Sequence, residues 1–377
     1  MSPQSLRHQV GQLFIVGLER TELSAMERAW LKLLHPGGVI LFRRNIESPA
    51  QTFELLAETN LVVGESIFRC VDVEGGLVDR LRDSVAPMSS AAAVAATGKR
   101  TLFRKHGLLI GREARALGFN ITLAPVLDLA LPASHEVMRT RTTSADPERV
   151  IEYADAFLDG LKAEGVSGCG KHFPGLGGGT LDSHHALPVI DRGWDEMWRT
   201  DLLPYRRLAK TLPMVMVSHA AFPKAAGETN PASISSHWIR EVLRRRIGFR
   251  GLVLSDDMEM GGILSQLPME EAVIAAVRAG TDVVEICKDP ALILPAYEAL
   301  LTEAEKSQAF RKMVEAAAQR IAVTKRRLLG EAPSKPAAAK MMEQLRRQIS
   351  ELAAKAPEPV TNVQTEPGKV EMKERSR

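Results

Sequence analysis

The stretch KHFPGLGGGTLDSHHALP, residues 171–188, gathers a Lys, three His, an Asp and four Gly between two apolar runs. Asp182 stands two residues before His184, close enough for its carboxylate to hold one imidazole nitrogen, fix the tautomer and stabilise the protonated ring. That pairing makes His184 a candidate general acid and base near neutral pH. Two loop residues satisfying local backbone groups are the plainer alternative. His172, His184, His185 and His219 could also supply metal ligands, but no pair has the helical spacing of a zinc hydrolase motif. The glycines invite a phosphate cradle, yet their spacing fits neither the Walker pattern nor the dinucleotide fingerprint.

A second stretch, GLVLSDDMEM, places Asp256 and Asp257 at the end of an apolar run. Successive strand residues point to opposite sides, so at most one of the two aims into a pocket if the strand continues. Capping the next helix is the competing role, because Asp is a favoured N-cap. Lys171 and His172, at another strand end, read as donors for substrate hydroxyls or as hydrogen-bonded core residues. DVEGGLVDRLR adds Asp72 and Arg80 around a Gly-rich turn. Together these groups describe a pocket lined by charged hydrogen-bonding residues, as sugar recognition demands.

Something must bring these segments together. The N-terminal segment reads by period as a helix running into a strand. Short β-rich runs then recur at 37–42, 67–74, 120–129, 165–173, 214–220, 251–257 and 282–287. They are apolar on both faces, as a parallel sheet covered by helices requires. Helical patterns at 148–165, 235–249 and 269–280 separate some of them, with Gly after the last turn as a C-cap. The alternation predicts an α/β fold, and its length favours a (β/α)8 TIM-type barrel over a doubly wound sheet. Polar residues stand at the strand ends, among them Asp72, Glu74, Asp128, Ser218 and His219. In a barrel those ends converge on one mouth.

Composition sets the bounds. The chain has 377 residues, 45% hydrophobic, with a formal charge of +3, so a nucleic-acid partner is not indicated. Cys70, Cys169 and Cys287 lie in or beside apolar runs, which predicts buried reduced thiols. The N-terminus lacks the pattern of a secretory signal and no run is long enough to span a bilayer, so a cytoplasmic protein without a membrane partner is expected. A catalytic unit over 1–330 is expected to precede a Pro/Ala/Lys/Glu-rich tail, 331–377, mostly disordered. Within the tail, MMEQLRRQISELAAK has the period of an amphipathic helix, which could dock on the barrel or on a partner, although a solvated or loosely packed helix is the plainer expectation.

In order, DVEGGLVDRLR, APVLDL, KHFPG, DSHHALP, PASISSHWIREVLRRRIGFRGLVLSDDMEM and AGTDVVEICKDP resemble the blocks of family 3 glycoside hydrolases. The resemblance is to the single-domain bacterial β-N-acetylglucosaminidases (β-N-acetylhexosaminidases) of peptidoglycan recycling, and spans roughly residues 8 to 330. It implies a retaining mechanism on a (β/α)8 barrel, with Asp256 as nucleophile and His184, oriented by Asp182, as acid/base in place of the usual carboxylic acid. It also implies that Asp72, Arg80, Arg141, Lys171 and His172 hold the N-acetylglucosamine, and that Asp257 is a structural neighbour. The chain departs from the family at Leu176, Gly178 and Gly179, and beside Arg141, where Arg139 and Thr142 replace the usual Gly and aromatic residue.

The resulting expectation is an enzyme that removes terminal non-reducing β-linked N-acetylglucosamine from small glycosides such as muropeptides, as a monomer, without metal or organic cofactor. Two readings compete with it: a phosphorylase, in which phosphate replaces water, and an inactive sugar-binding barrel.

Overall fold

Each of the apolar runs becomes a strand buried almost throughout its length. The computed structural model describes residues 5–183, 186–330 and 335–358. Its barrel strands are β1 (Phe14–Gly17), β2 (Gly38–Leu41), β3 (Phe68–Val71), β4 (Ile121–Thr122), β5 (Ser167–Phe173), β6 (Met214–Val217), β7 (Leu252–Asp257) and β8 (Val283–Ile286). They run parallel and close on themselves, β1 pairing with β2 through Ile15 and Gly38 and with β8 through Phe14 and Val284. Helices cover the outside, so both faces of the sheet are dry and the runs need no polar alternation. The (β/α)8 barrel expected from the alternation is the fold observed.

Local chemistry explains most of the boundaries. Ser24 and Glu27 form a capping box at the start of helix Ala25–Leu34. Asp146 caps helix Pro147–Ala163, which places Pro in its first turn. The run expected as a strand over 120–129 pairs only at Ile121 and Thr122. Pro125 has no N–H to give the ladder, and beyond it Val126 rejoins β5 by a bridge to Lys171. The helix expected over 235–249 is present as His237–Arg246, but wound wider than an α-helix, its end closed by the bond from Ile247 N to Val242 O.

Two glycines set the distance between the outer helices Arg100–Ala116 and Pro147–Ala163. A Cβ on Gly107 would lie 2.0 Å from the carbonyl oxygen of Phe157, and one on Gly160 would lie 2.2 Å from that of Arg104. The two backbones therefore touch, which no larger residue permits.

The tail corrects one expectation. Helix Ala339–Lys355 is docked, not solvated: Met342, Leu345, Ile349 and Leu352 are buried against helix Arg100–Ala116 and its surroundings. Polar contacts fix its register. Arg346 Nε donates to Val85 O at 3.0 Å, and Glu358 accepts from the backbone N and Oγ of Ser90 at 2.7 and 2.6 Å. An amphipathic period reveals an apolar stripe but not the groove that receives it.

Cys70, Cys169 and Cys287 are free and buried, and burial pushes each thiol pKa up. Among the described residues, no helix is long and apolar enough to cross a membrane.

Candidate active site

The carboxyl ends of the strands open into one cavity of about 140 Å³. Asp72, Arg80, Arg141, Lys171, His172, Asp182 and Asp256 all line it, although they come from widely separated segments. His184 lies outside the described residues. The ends of β5 and β7 and the loops that follow β3, β4 and β5 bring these side chains together, as a barrel mouth requires.

The cavity wall is an ion-pair chain. Lys171, at the end of β5, places Nζ 2.8 Å from Asp72 Oδ1 and 2.7 Å from Glu74 Oε1. Arg141 grips the same Glu74 with both arms, Nε to Oε2 at 2.8 Å and Nη2 to Oε1 at 2.9 Å. Burial acts to raise the pKa of Glu74, but Arg141 and Lys171 outweigh it and hold the group well below the usual carboxylate range. Burial acts likewise to lower Lys171, and Asp72 and Glu74 reverse it, so the ammonium stays charged above its ordinary pKa. A pair so deeply buried is stable only while both signs are present.

His172 continues the chain. Its Nδ1 is 2.6 Å from Asp128 Oδ2, and its Nε2 is 3.3 Å from Arg141 Nη2. A guanidinium can only donate, so Nε2 must be the accepting nitrogen and Nδ1 carries the proton. Asp128 also accepts from the backbone N of His172 at 3.2 Å and of Leu176 at 2.6 Å, tying the glycine-rich loop to β4's continuation. His172 therefore orients its neighbours as much as it faces the cavity. Lys171 keeps one of its three donors beyond the two carboxylates it holds.

The carboxylates of β7 depart from simple alternation. Both Asp256 and Asp257 border the cavity, because the extended conformation ends there and the chain turns: Asp256 Oδ1 accepts from Asp257 N at 3.0 Å, and Asp257 O accepts from Met260 N at 3.0 Å. Asp257 Oδ1 accepts from Glu259 N at 3.1 Å, a local turn bond and not a cap on the next helix. Burial, then Glu259, push the Asp257 pKa up to about 7. His219 braces this turn, with Nε2 3.0 Å from Asp257 O and Nδ1 2.7 Å from Ser233 Oγ.

Sequence reasoning missed Glu285. It lines the cavity from β8, is 2% exposed, and its Oε1 has no hydrogen-bond partner among the described residues. Burial, reinforced by Asp72, Asp256 and Asp257, pushes its pKa well up. The signal was there: Glu285 is the one charge in the run VVEIC, where a strand covered on both faces should carry none. Phe42 was missed too. The guanidiniums of Arg44 and Arg80 lie 4.8 and 5.9 Å from its ring centroid, which makes it the apolar side of the Arg80 position.

Arg141 is delivered by a short turn, Arg139–Arg141, that follows helix His135–Met138. Arg139, standing where the family pattern has Gly, adopts φ 45° and ψ −124°, backbone angles that favour Gly. At this departure from the family pattern a non-glycine residue therefore sits in a strained backbone conformation.

A parallel barrel with paired cations and carboxylates at its mouth defines a class of polar-substrate enzymes with their chemistry on the βα loops. Comparison with known proteins narrows the class. Residues 5–324 match the model of the glycosyl hydrolase family 3 N-terminal domain, and the chain belongs to that family as a glycoside hydrolase. It is 38% identical over 272 residues to a β-hexosaminidase of Pseudomonas aeruginosa, covering 72% of this chain and 81% of that one. A β-hexosaminidase of Idiomarina loihiensis is 32% identical over 306 residues, covering 80% and 92%. Among solved structures, a family 3 β-N-acetylglucosaminidase from Paenibacillus superposes with a TM-score of 0.86 at 30% identity, over 94% of this chain and 69% of that chain.

Proposed function

We propose that this chain is a retaining exo-β-N-acetylglucosaminidase acting on terminal non-reducing β-linked N-acetylglucosamine, with cell-wall muropeptides as its substrate class. The observation that carries the reading is the convergence of Asp256, Asp182 and the Asp72–Lys171–Glu74–Arg141–His172 chain on one cavity. The β-hexosaminidase and β-N-acetylglucosaminidase names of the relatives supply the substrate.

In this mechanism Asp256 attacks the anomeric carbon while His184, oriented by Asp182, gives its proton to the departing glycosidic oxygen. The aglycone leaves and the sugar stays esterified to Asp256. His184, now neutral, takes a proton from water, whose oxygen attacks the same carbon and frees Asp256. Two inversions restore the β configuration. Arg141, Lys171, Asp72 and Arg80 hold the sugar hydroxyls and acetamide. The ion pairs of Lys171 with Asp72 and Glu74 and of Arg141 with Glu74 fix these groups before substrate arrives, so little is spent on ordering them during the reaction.

Hydrolysis of an aryl β-N-acetylglucosaminide, beside the aryl glucoside and with and without phosphate, tests the proposal. The expected result is acetamido-dependent, phosphate-independent cleavage, lost in Asp256→Ala and less reduced in His184→Ala, since a good leaving group needs little protonation. Phosphate-dependent release of a sugar phosphate identifies a phosphorylase instead. Sugar binding without turnover identifies a binding barrel.

A further inference from the structure

A histidine-rich cluster lies on the face of the barrel opposite the mouth. His8 precedes β1, His35 precedes β2 and Glu65 precedes β3, so all three sit at the amino ends of their strands. One ligand atom from each falls within 4.8 Å of the others. His8 Nε2 is 2.7 Å from Glu65 Oε1, and the two imidazole rings have centroids 5.4 Å apart. Two imidazoles and a carboxylate are a donor set that zinc accepts, with bond lengths of about 2.0–2.2 Å. Tetrahedral ligand atoms at such lengths stand roughly 3.3 Å apart, so closure asks only for small side-chain rotations.

Two independent features point beyond an ion pair. His35 Nδ1 lies 3.1 Å from Val63 O, so it carries the proton and Nε2 keeps its lone pair, the arrangement found behind metal-bound histidines. His35 also adopts φ 48° and ψ 60°, the left-handed conformation that a helix end ordinarily gives to Gly or Asn. A side chain retained there against backbone preference argues for use of the imidazole.

We propose that His8, His35 and Glu65 form a structural transition-metal site, zinc by donor set, that ties the N-terminal helix to the ends of the next two helices. The side chains of His8 and Glu65 are 20% and 30% exposed, which leaves room for water as a fourth ligand. Gln12 stands behind the site, its Nε2 donating to Glu65 Oε1 at 3.0 Å and to His35 O at 2.7 Å. Lys325 Nζ donates to Gln12 Oε1 at 2.7 Å and is the one opposing charge placed there by a hydrogen bond. The site is remote from the mouth, and its function is to hold together the amino ends of the first three strands.

The test is zinc binding to chelator-stripped full-length protein, read as zinc retained per chain after dialysis and as the shift in thermal midpoint. Because the carboxylates and histidines of the mouth also attract zinc, Asp256→Asn serves as the control. The expected result is one zinc at micromolar affinity and a midpoint raised by several degrees in both wild type and Asp256→Asn. His35→Asn, which tolerates the left-handed backbone but loses the imidazole, should bind at least tenfold more weakly and lose the shift. His8→Gln should do the same, and covers the case in which His35→Asn folds poorly. Zinc that vanishes in Asp256→Asn, zinc undiminished in both histidine variants, or no zinc-dependent shift in the wild type overturns the proposal.

Discussion

Lys171 Nζ stands 2.7 Å from Glu74 Oε1, on the same oxygen that Arg141 Nη2 reaches at 2.9 Å. One buried carboxylate thus anchors Lys171 and Arg141 together, and among the described residues neither is ion-paired with another carboxylate of equal burial. Glu74→Gln should leave two charges partly uncompensated, costing ~3–5 kcal/mol of stability. Cleavage of an aryl glycoside should fall on the order of 100-fold in kcat/KM, since both cations shift. Urea unfolding and steady-state kinetics measure the two effects. Wild-type stability in the variant means that the chain of ion pairs is not cooperative.

Asp128 is the hinge between His172 and the glycine-rich loop, accepting from His172 Nδ1, His172 N and Leu176 N. Asn offers one oxygen and adds a donor that faces other donors. Asp128→Asn should cost ~1–3 kcal/mol and turn the His172 ring. A chemical-shift change at the His172 ring nitrogens, together with a fall in kcat/KM, checks this. An unchanged ring signal rejects the tautomer assigned here.

Asp257, with its pKa raised to about 7, holds a proton in the folded state that the unfolded chain has already lost. Its contribution to stability is therefore complete below about pH 4 and lost as pH rises toward about 7. Asn cannot ionise. Asp257→Asn should gain on the wild type by ~4 kcal/mol between about pH 4 and pH 8. Urea midpoints at both pH values report it; parallel curves for the two proteins place the Asp257 pKa in the ordinary range.

Arg139 occupies φ 45° at the turn that delivers Arg141. Arg139→Gly removes the steric cost of that conformation and adds unfolded-state entropy, for a net gain of about 1 kcal/mol. A raised thermal midpoint with Arg141-dependent activity intact is expected. A lowered midpoint shows that the side chain, and not the backbone, holds the turn.

Leu345 and Ile349 bury one turn apart on helix Ala339–Lys355, beside the Arg346 bond to Val85 O. Leu345→Ala should destabilise the protein by ~2–4 kcal/mol if the helix unfolds with the barrel. Limited proteolysis separates the cases: selective early release of the C-terminal helix, with the barrel midpoint unchanged, means that it docks as an independent segment.

Much of the site was legible before any coordinates. A strand end can be recognised from an apolar run that stops at an ionisable residue, which is how Asp72, Lys171, His172 and Asp256 stand out. Glu285 did not, because a lone charge within an apolar run reads as an irregularity until its neighbours are known. The Arg141 segment was flagged by its departure at Arg139, yet nothing in the chain order says that Arg141 and Lys171 share Glu74. The docking of the C-terminal helix was likewise out of reach: its stripe was visible, its groove was not.

The sequence by itself determined the barrel and its periodicity, because strands dry on both faces and helices with one apolar face follow from local patterning. It also determined which residue types crowd the strand ends. Only the tertiary structure decided who pairs with whom: Glu74 with two cations, Asp128 with His172, Asp257 raised in pKa and Glu285 left without a partner for one oxygen. Patterning acts over a few residues, whereas hydrogen bonding and desolvation depend on distances of about 3 Å between side chains far apart in the chain, and those are set when the barrel closes.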